Sequence, residues 1–428
     1  MKDVKNLSRW ISLWAVAVLL AANPVGAQNV QQKDVMVSGQ LTLGFDEGVN
    51  SSAGLTNWVM PNPADGSQKM SCPPAQDWCA MFVTFGPPVN PPRPGIDMSS
   101  YVTLLVDLRG DTGKTLLIGV KDYQQPDTGT EAKVRVLLTT DWRTYAIPLS
   151  RFAPAILSKL YVLCEFVWDA NSPWTAYVRN VRFTTAQAPS IDGVVNAASY
   201  QTGLVAGGWN SVGGKNLSSS TRAWTGGDFQ GNKLPVALDG VKVSVGERDM
   251  AVYYISPGQI NTLLFGDVPA GANYVSVTAP VGTSVPVPVT VQSVFPAIFT
   301  IDPSNKYAAA VHTDGVLVGK AGLFGPNVTS RPAAPNETIQ VYGTGFGATS
   351  PAVVQDQLIS SAVPLANASS WQARIGNLSG AVGFAGLTGS GLYQFNVTVP
   401  NVADGDQPLV ISGGGGSTQS GVFITVQK

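Results

Sequence analysis

Charged residues are scarce in this chain of 428 residues: Lys, Arg, Asp and Glu make up only 12% of it, and the formal net charge is −1. A nucleic-acid-binding surface needs clustered Lys and Arg to neutralise phosphates, so the composition argues against a nucleic-acid partner. The hydrophobic share of 44% is large enough to build cores, which argues against intrinsic disorder. At ordinary domain sizes, the length predicts about two to four domains.

Histidine and cysteine are also nearly absent, with one His and three Cys. The single histidine, His312, and the lack of a second cysteine pair argue against a structural zinc site. Cys72 and Cys79 lie in one proline-rich loop, and in an oxidising compartment their spacing predicts a disulfide that closes this loop. Cys164 lies in an apolar strand and is expected to be a buried free thiol.

Helical periodicity is nearly absent after residue 30, where the strongest helical candidate is the short segment Ala153–Lys159. The chain instead contains 46 Gly and 30 Pro, together with abundant Val and Thr. This composition is typical of many short strands joined by tight turns. The sequence therefore predicts an all-β protein.

The first 27 residues have the organisation of a signal peptide. Basic residues at Lys2, Lys5 and Arg9 precede the apolar stretch Ile11–Ala22, and small residues lead to a cleavage site after Ala27. We therefore expect an exported protein that is secreted, extracellular or held at the cell surface. No later segment has the length of a membrane-spanning apolar helix, so we expect no transmembrane segment, and the oligomeric state stays open.

Residues 28–185 are predicted to form one unit. A strand at Leu41–Phe45 leads into a stretch rich in Pro, Gly and Asn, which is expected to be irregular up to about residue 97. Regular strands bounded by turn residues follow at Tyr101–Arg109, Thr115–Tyr123, Ala132–Thr139, Arg143–Pro148, Leu160–Trp168 and Thr175–Phe183. Strands at this spacing predict a sandwich or jelly roll.

Beyond a polar linker at residues 184–190, the chain repeats itself. The segment that contains Gln259 and Asn261 recurs with Gln394 and Asn396, and flanking segments recur in the same order. Shared order with slightly different spacing is what a duplicated β-domain with loop insertions produces. The paired amides are expected to satisfy backbone groups at a strand end, with a ligand role as the alternative.

The repeated region resembles the C-terminal repeat family of secreted acidobacterial proteins. The matching segments are Val195–Tyr200, Tyr254–Asn261, Pro296–Phe299, Val341–Gly347 and Gly391–Pro400. This resemblance implies two immunoglobulin-like (TIG-like) β-sandwich domains, at residues 191–293 and 294–428, located outside the cytoplasm. It implies no catalytic residues.

The N-terminal unit resembles carbohydrate-binding modules of the galactose-binding-like jelly-roll type, through Leu137–Phe152 and the closing segment Tyr177–Phe183. The resemblance implies a glycan-binding sandwich. It also implies a structural Ca²⁺ between the first and last strands, for which Asp46, Glu47 and Asn180 offer oxygen ligands. The family usually carries Asp at the position of Asn180.

Tryptophan side chains are the first candidates for sugar binding, because pyranose C–H faces pack on aromatic rings. Trp58 and Trp78 lie in loops, and Trp168 and Trp174 flank the turn at residues 169–173, so these four are the better candidates. Trp58, Trp168 and Trp174 are predicted to contact ligand. Trp142 lies in the segment that resembles the family and is expected to be packed.

A second set of candidate ligand-binding residues comes from strand alternation. Period two places Lys121 and Tyr123 on one face of their strand, and Arg135 follows in the next strand. If this face is concave, it is a ligand face; if it is convex, it is a solvated face.

The combined prediction is a secreted, non-catalytic glycan-binding protein, with the two immunoglobulin-like domains as spacers or surface-association modules. The alternative is a structural or adhesive cell-surface protein with no sugar ligand. An enzyme is not expected. Glu131 and Glu165 can be paired as glycosidase carboxylates, but a chain with 27 acidic residues offers many such pairs, and no nucleophile-elbow motif occurs.

Overall fold

The computed structural model describes residues 30–168, 174–302, 304 and 306–428. The predicted signal peptide, residues 1–27, lies outside the described residues. Within the described part the chain is all-β, with short 3₁₀ turns at Leu149–Phe152, Leu157–Lys159, Gly226–Asp228 and Ala368–Ser370. No described helix is long and apolar enough to cross a membrane.

The N-terminal unit is a sandwich of two antiparallel sheets. Its strands are β1 (Gln32–Val37), β2 (Gln40–Leu41), β3 (Phe45–Ser51), β4 (Val59–Pro61), β5 (Gln68–Ser71), β6 (Cys79–Phe85), β7 (Thr103–Gly110), β8 (Thr115–Asp122), β9 (Lys133–Leu137), β10 (Arg143–Pro148), β11 (Leu160–Trp168) and β12 (Thr175–Thr184). One sheet has the order β3-β6-β11-β8-β9, and the other has β10-β7-β12-β1-β2 with β5 and β4 added beside β12. The predicted N-terminal sandwich is therefore present.

The core of this sandwich lies between the two sheets. Alternate residues of β8, including Leu116 and Ile118, face it and are fully buried, as a strand with one buried face requires. The central strand β11 is buried along almost its whole length. On its outer face, Arg93 lies over the Tyr161 ring and Glu165 is enclosed by Lys121 and Lys133.

The sequence predicts an irregular stretch at residues 46–97, but the structure shows regular strands there. It contains most of β3 and all of β4, β5 and β6. The expected strand at Leu41–Phe45 is instead a turn between β2 and β3, and Leu43 within this turn is fully exposed. Both predictions were wrong because the pairing partners of these short strands lie far away in the chain, as in the contact of β5 with β12.

The second unit also has two sheets. Its strands are β13 (Ser190–Asn196), β14 (Leu204–Val205), β15 (Trp209–Lys215), β16 (Arg222–Ala223), β17 (Lys242–Val245), β18 (Arg248–Asp249), β19 (Ala251–Ile255), β20 (Gln259–Leu263), β21 (Gly271–Ala279), β22 (Gly282–Thr283) and β23 (Val287–Gln292). One sheet has the order β13-β15-β20-β19-β16, and the other contains β14, β23, β21, β22, β17 and β18. This is the predicted immunoglobulin-like type of sandwich.

The third unit has the same kind of organisation. Its strands are β24 (Ala297–Ile298), β25 (Ala310–His312), β26 (Leu317–Val318), β27 (Ser330–Arg331), β28 (Thr338–Thr344), β29 (Val363–Pro364), β30 (Gln372–Ile375), β31 (Leu378–Gly380), β32 (Val382–Gly389), β33 (Leu392–Thr398), β34 (Gly405–Gly413), β35 (Gly416–Ser417) and β36 (Phe423–Val426). β20 and β33 carry the same internal hydrogen bond. Gln259 Nε2 donates to Asn261 Oδ1, and Gln394 Nε2 donates to Asn396 Oδ1, each at 2.7 Å.

Each of the three units has its own hydrophobic core, and the units contact one another. β22 of the second unit pairs in parallel with the edge strand β10 of the first, with Thr283 opposite Tyr145. Val281 packs on Leu105 and Ala146 at the same junction. The outer face of the five-stranded sheet is not part of this junction.

Candidate functional site

The three tryptophans predicted to bind ligand are buried. Trp58, Trp168 and Trp174 are 3%, 0% and 5% exposed. Trp168 stacks on Trp174 with ring centroids 4.9 Å apart and meets Trp58 edge-on at 5.3 Å. The prediction that they contact ligand is wrong, because their ring faces are covered by one another and by the sandwich core.

The predicted disulfide between Cys72 and Cys79 is present, with the two Cα atoms 5.9 Å apart. Both cysteines are buried, and Cys164 is a buried free thiol as predicted. Within the loop that the disulfide closes, Trp78 is 41% exposed. Trp78 is therefore accessible to a ligand, in contrast to the three buried rings.

Strand alternation places Trp78 on the outer face of the five-stranded sheet. Cys79, Met81 and Val83 of β6 belong to the core, so Ala80 and Phe82 point outward. The Trp78 carbonyl accepts a hydrogen bond from Ser52 N at 3.0 Å, which extends the β3–β6 pairing by one residue. Trp78 thus continues the outward-facing series of β6.

A single row of outward-facing residues crosses all five strands at Phe82. The strand register places, in order, Gly48, Phe82, Glu165, Gly119 and Lys133 opposite one another. At the ordinary strand spacing this row is about 19 Å long. We call it the transverse row.

The two glycines of the transverse row allow their neighbours to lie flat on the sheet. A Cβ atom at Gly48 would come within 2.2 Å of the Phe82 ring, and one at Gly119 would come within 2.4 Å of Glu165 Oε1. The aromatic ring and the carboxylate therefore occupy the space above the glycines. The result is a low surface with an apolar half and a charged half.

The charged half is a network of ion pairs. Lys121 Nζ lies 3.6 Å from Glu131 Oε2 and 3.4 Å from Glu165 Oε2. Lys133 Nζ contacts Glu131 Oε1 closely and lies 4.0 Å from Glu165 Oε1. Asp127 joins the network at 3.4 Å from Lys121. The network fixes these side chains before any ligand binds.

The two glutamates of the network titrate differently. Burial, together with the neighbouring Glu131, raises the pKa of Glu165 to about 7. Burial also acts to raise the pKa of Glu131, but hydrogen bonds to Glu165 and Lys133 and the charge of Lys121 outweigh it and lower that pKa to about 2. Near neutral pH this site therefore contains one ionised carboxylate and one that is close to its titration point.

The structure places the predicted ligand residues Lys121, Tyr123 and Arg135 in three different situations. Lys121 is buried in the ion-pair network. Arg135 is exposed on the same sheet face and donates to Thr115 Oγ1 at 2.8 Å. Tyr123 lies just beyond the end of β8, where Lys159 Nζ is 4.7 Å from its ring centre. The outer face of the five-stranded sheet therefore carries Lys121, which is buried, and Arg135, which is exposed.

The predicted calcium ligands are not brought together. Asp46 and Glu47 lie on β3 of the five-stranded sheet, whereas Asn180 lies on β12 of the other sheet. Asn180 Oδ1 accepts a hydrogen bond from Ser38 N at 2.9 Å, and its amide nitrogen donates to Asp107. The set was wrong because the sequence does not reveal which sheet each strand joins. Among the described residues, no group of three or more His, Cys, Asp or Glu side chains is arranged to hold a metal ion.

Phe82 and Glu165 are residues of the candidate site that the sequence-based prediction missed, and Trp78 was a candidate loop tryptophan that the predicted ligand set left out. The alternation within β6 was a usable signal, because placing Cys79 in the core puts Trp78 and Phe82 on the other face. Glu165 had been considered only as half of a possible catalytic pair. Its place opposite Phe82 depends on the register between β6 and β11.

Comparison with known proteins found no matching family model and no matching curated protein. Among solved structures, a family 30 carbohydrate-binding module is 17% identical, with a TM-score of 0.28 over 37% of this chain and 89% of that chain. A family 30 module from a cellulosomal cellulase of Clostridium thermocellum is 18% identical, with a TM-score of 0.28 over 37% and 98%. A family 29 module variant complexed with mannohexaose is 9% identical, with a TM-score of 0.27 over 37% and 94%. Values this low support no inference about function.

Proposed function

We propose that this chain is an exported, non-catalytic protein that binds a polysaccharide or surface glycan on the outer face of the five-stranded sheet. The observation that carries this proposal is the transverse row, where the half-buried Phe82 ring lies over Gly48 and Lys133 lies at the charged end of the same row. Sugars present apolar C–H faces and hydroxyl groups side by side. An aromatic ring next to fixed hydrogen-bonding groups matches both.

The ion-pair network supports the proposal because its members are already held in place. Glu131, Lys121 and Lys133 need not lose side-chain freedom when a ligand binds, and this lowers the entropic cost of association. Lys133 and Arg135 are the cations nearest to solvent on this face. Both are placed to donate hydrogen bonds to sugar hydroxyls.

The positions of the two aromatic residues favour a polymer over a single sugar. Trp78 and Phe82 are four residues apart along an extended strand, which corresponds to about 13 Å. One pyranose ring cannot contact both. A glycan chain of several units lying on the face contacts Trp78, Phe82 and the charged half together.

The proposal is non-catalytic because the carboxyl pair is poorly placed for glycoside hydrolysis. The side chains of Glu131 and Glu165 are 2% and 4% exposed, and both approach the same lysine. Hydrolysis requires two carboxyl groups on either side of a bond in an open cleft. A structural role in the ion-pair network accounts for both side chains.

The second and third units are proposed to act as spacers that hold the sandwich away from a surface. Two hydrogen bonds from Trp209 connect them: Trp209 N donates to Thr344 Oγ1 at 2.8 Å, and Trp209 Nε1 donates to Ser390 O at 3.0 Å. Fixed contacts of this kind limit the relative motion of the two units, which favours a stiff connection.

The test is a binding assay with the full chain lacking residues 1–27 and a panel of soluble and insoluble polysaccharides. We expect binding to one class of glycan. Phe82→Ala and Trp78→Ala should each weaken that binding by about tenfold, which is the scale of one lost aromatic contact. Tyr200→Ala is the matched control, because Tyr200 is 50% exposed on the second unit and lies outside the site.

A panel without any binding, with the protein shown to be folded, would overturn the glycan proposal. It would favour the alternative of a structural or adhesive surface protein. Binding that survives in both site variants and is lost in Tyr200→Ala would move the site to the second unit.

A further inference from the structure

The other sheet of the N-terminal sandwich carries an array of arginine and aromatic side chains on its outer face. The Trp142 ring has the guanidinium of Arg179 at 4.5 Å and that of Arg109 at 5.1 Å from its centre. Arg109 also lies 4.5 Å from the centre of the Tyr177 ring. Stacking of this kind fixes the plane of each guanidinium. We call these four residues the arginine array.

Both arginines of the array keep nitrogen atoms available. Within the described part of the chain, Arg179 makes one side-chain hydrogen bond, from Nε to Asp107 Oδ2 at 3.4 Å. Arg109 likewise makes one, to Asp65 Oδ2 at 3.2 Å. The side chains are 39% and 31% exposed. Among the described residues, the remaining terminal nitrogens of both guanidiniums have no acceptor, and Arg109 Nε is buried without a hydrogen-bond partner.

The acidic groups of this face are already engaged. Asp107 is buried and accepts hydrogen bonds from Thr144 Oγ1 at 2.7 Å and Arg182 at 2.8 Å. Asp65 accepts from Ser67 Oγ at 2.6 Å as well as from Arg109. These contacts leave the arginine array with free donors and few free acceptors, which favours an anionic partner.

The arginine array has another cation, Lys69, on one side and a cleft on the other. Lys69 on β5 lies opposite Tyr177, which in turn lies opposite Arg109 on β7, so Lys69 adds a charge to the same row. At the other side, Trp142 lines a cleft of about 740 Å³ between the first and second units. Asp141, beside Trp142 in the chain, and Glu247 both line this cleft and are exposed, and neither has a cationic partner among the described residues.

We infer that the arginine array binds carboxylate groups of an acidic polysaccharide. A planar guanidinium offers two parallel N–H donors that match a carboxylate, and stacking on Trp142 and Tyr177 holds the donors in place beforehand. The face presents Lys69, Arg179 and Arg109 on three neighbouring strands, β5, β12 and β7. A polymer with a carboxylate on each repeat unit suits such a surface better than an acidic peptide, whose side chains need pockets. This site is separate from the transverse row.

The test measures binding of the full chain lacking residues 1–27 to a polyuronate, a neutral polysaccharide, a sulfated polysaccharide and polyglutamate. We expect binding to the polyuronate at low salt, about 50 mM, and marked weakening at about 500 mM because the charges are exposed and screened. Arg179→Gln should weaken binding by about tenfold, and the double variant Arg109→Gln/Arg179→Gln by more. Arg151→Gln is the control, since Arg151 is exposed elsewhere on the same unit.

Phe82→Ala, from the glycan-binding test, separates the two sites and should leave polyuronate binding unchanged. Three outcomes would overturn the inference: no polyuronate binding at low salt, an equal loss in Arg151→Gln, or binding of polyglutamate or the sulfated polymer as tight as that of the polyuronate. Arg179→Gln retains all other contacts of Asp107, so a thermal unfolding curve close to that of the unmodified protein confirms that the variant is folded.

Discussion

At the scale of single residues, Glu165 combines burial with a shared charge network. Its ordinary pKa of 4.5 is raised to about 7 in the folded protein, mainly because burial disfavours the ionised form. The stability that this raised pKa contributes is fully present below pH 4.5 and is lost as the pH rises through about 7. For Glu131 the pKa is lowered to about 2, so its stabilisation is lost only as the pH falls through that value.

We therefore predict that the free energy of unfolding decreases between pH 5 and pH 8, and that Glu165→Gln reduces this decrease by on the order of 2 kcal/mol. Urea denaturation at several pH values measures it. Glu47→Gln is the control: the pKa of Glu47 is also raised by burial, but its half-buried position should make the effect smaller. An equal slope in Glu165→Gln and the unmodified protein would contradict the prediction.

The tryptophans show where reasoning from single residues reaches its limit. Trp58, Trp168 and Trp174 lie in or beside segments that the sequence predicts as loops, yet their three rings pack together in the structure. Trp78 also lies in a loop, but the adjacent Cys79 is anchored in the core and turns the ring outward. Loop position alone does not determine exposure, because the path of each loop depends on distant contacts.

At the scale of strands, local patterns predicted the regular part of the N-terminal sandwich well. β10 and β11 have the predicted bounds, and β8 differs by one residue, since each is a clear apolar segment between turn residues. β4 and β5 have only three and four residues, and β6 is apolar on both faces. Their existence depends on pairing with distant strands, which local patterns do not show.

The positions of the site residues were likewise predictable where they depend on local alternation, and not where they depend on pairing with distant strands. Alternation correctly placed Lys121 and Arg135 on one sheet face. The row from Phe82 to Glu165 to Gly119 instead depends on the registers of β6 with β11 and of β11 with β8. Both pairings contain bulges or shifts in register on β11, so counting residues along the sequence would not have aligned them.

Gly119 on β8 provides a test of the transverse row. A methyl group at this position would collide with the Glu165 carboxyl, which would have to leave its place between Lys121 and Lys133. We predict that Gly119→Ala lowers the free energy of unfolding by about 1–3 kcal/mol. Gly193→Ala is the control, because no heavy atom lies within 4 Å of its added Cβ, and it should change stability by less than about 0.5 kcal/mol. Urea denaturation compares the two, and equal effects would show that Glu165 moves without cost.

At the scale of the whole molecule, the junctions between units are built from different kinds of contact. The first and second units share one residue pair between β10 and β22, a small apolar contact at Val281 and a hydrogen bond from Thr112 Oγ1 to Glu247 at 3.0 Å. The second and third units share the bonds of Trp209 and a tight approach of its ring to Gly391. Gln355 of the third unit also contacts the second unit, since its Oε1 accepts a hydrogen bond from Gly266 N.

The Trp209 contacts predict that the second and third units unfold together. In Trp209→Ala the bond from Nε1 to Ser390 O is lost, and a cavity forms between the units. We expect scanning calorimetry to show one joint transition in the unmodified protein and two separate transitions in Trp209→Ala. Two units unfold together only if the free energy of the contacts at their junction exceeds the difference between their free energies of unfolding.

Trp224→Ala is the matched control for this experiment. The Trp224 ring packs on Trp209, Phe229 and Tyr253 within the second unit, and its removal leaves the bond from Trp209 to Ser390 intact. It should lower the temperature of the joint transition without dividing it. If Trp209→Ala keeps a single transition, the other contacts, such as that of Gln355 with Gly266, are sufficient to couple the units. If Trp224→Ala also divides the transition, loss of stability within the second unit alone separates the units, and the Trp209 bond is not what joins them.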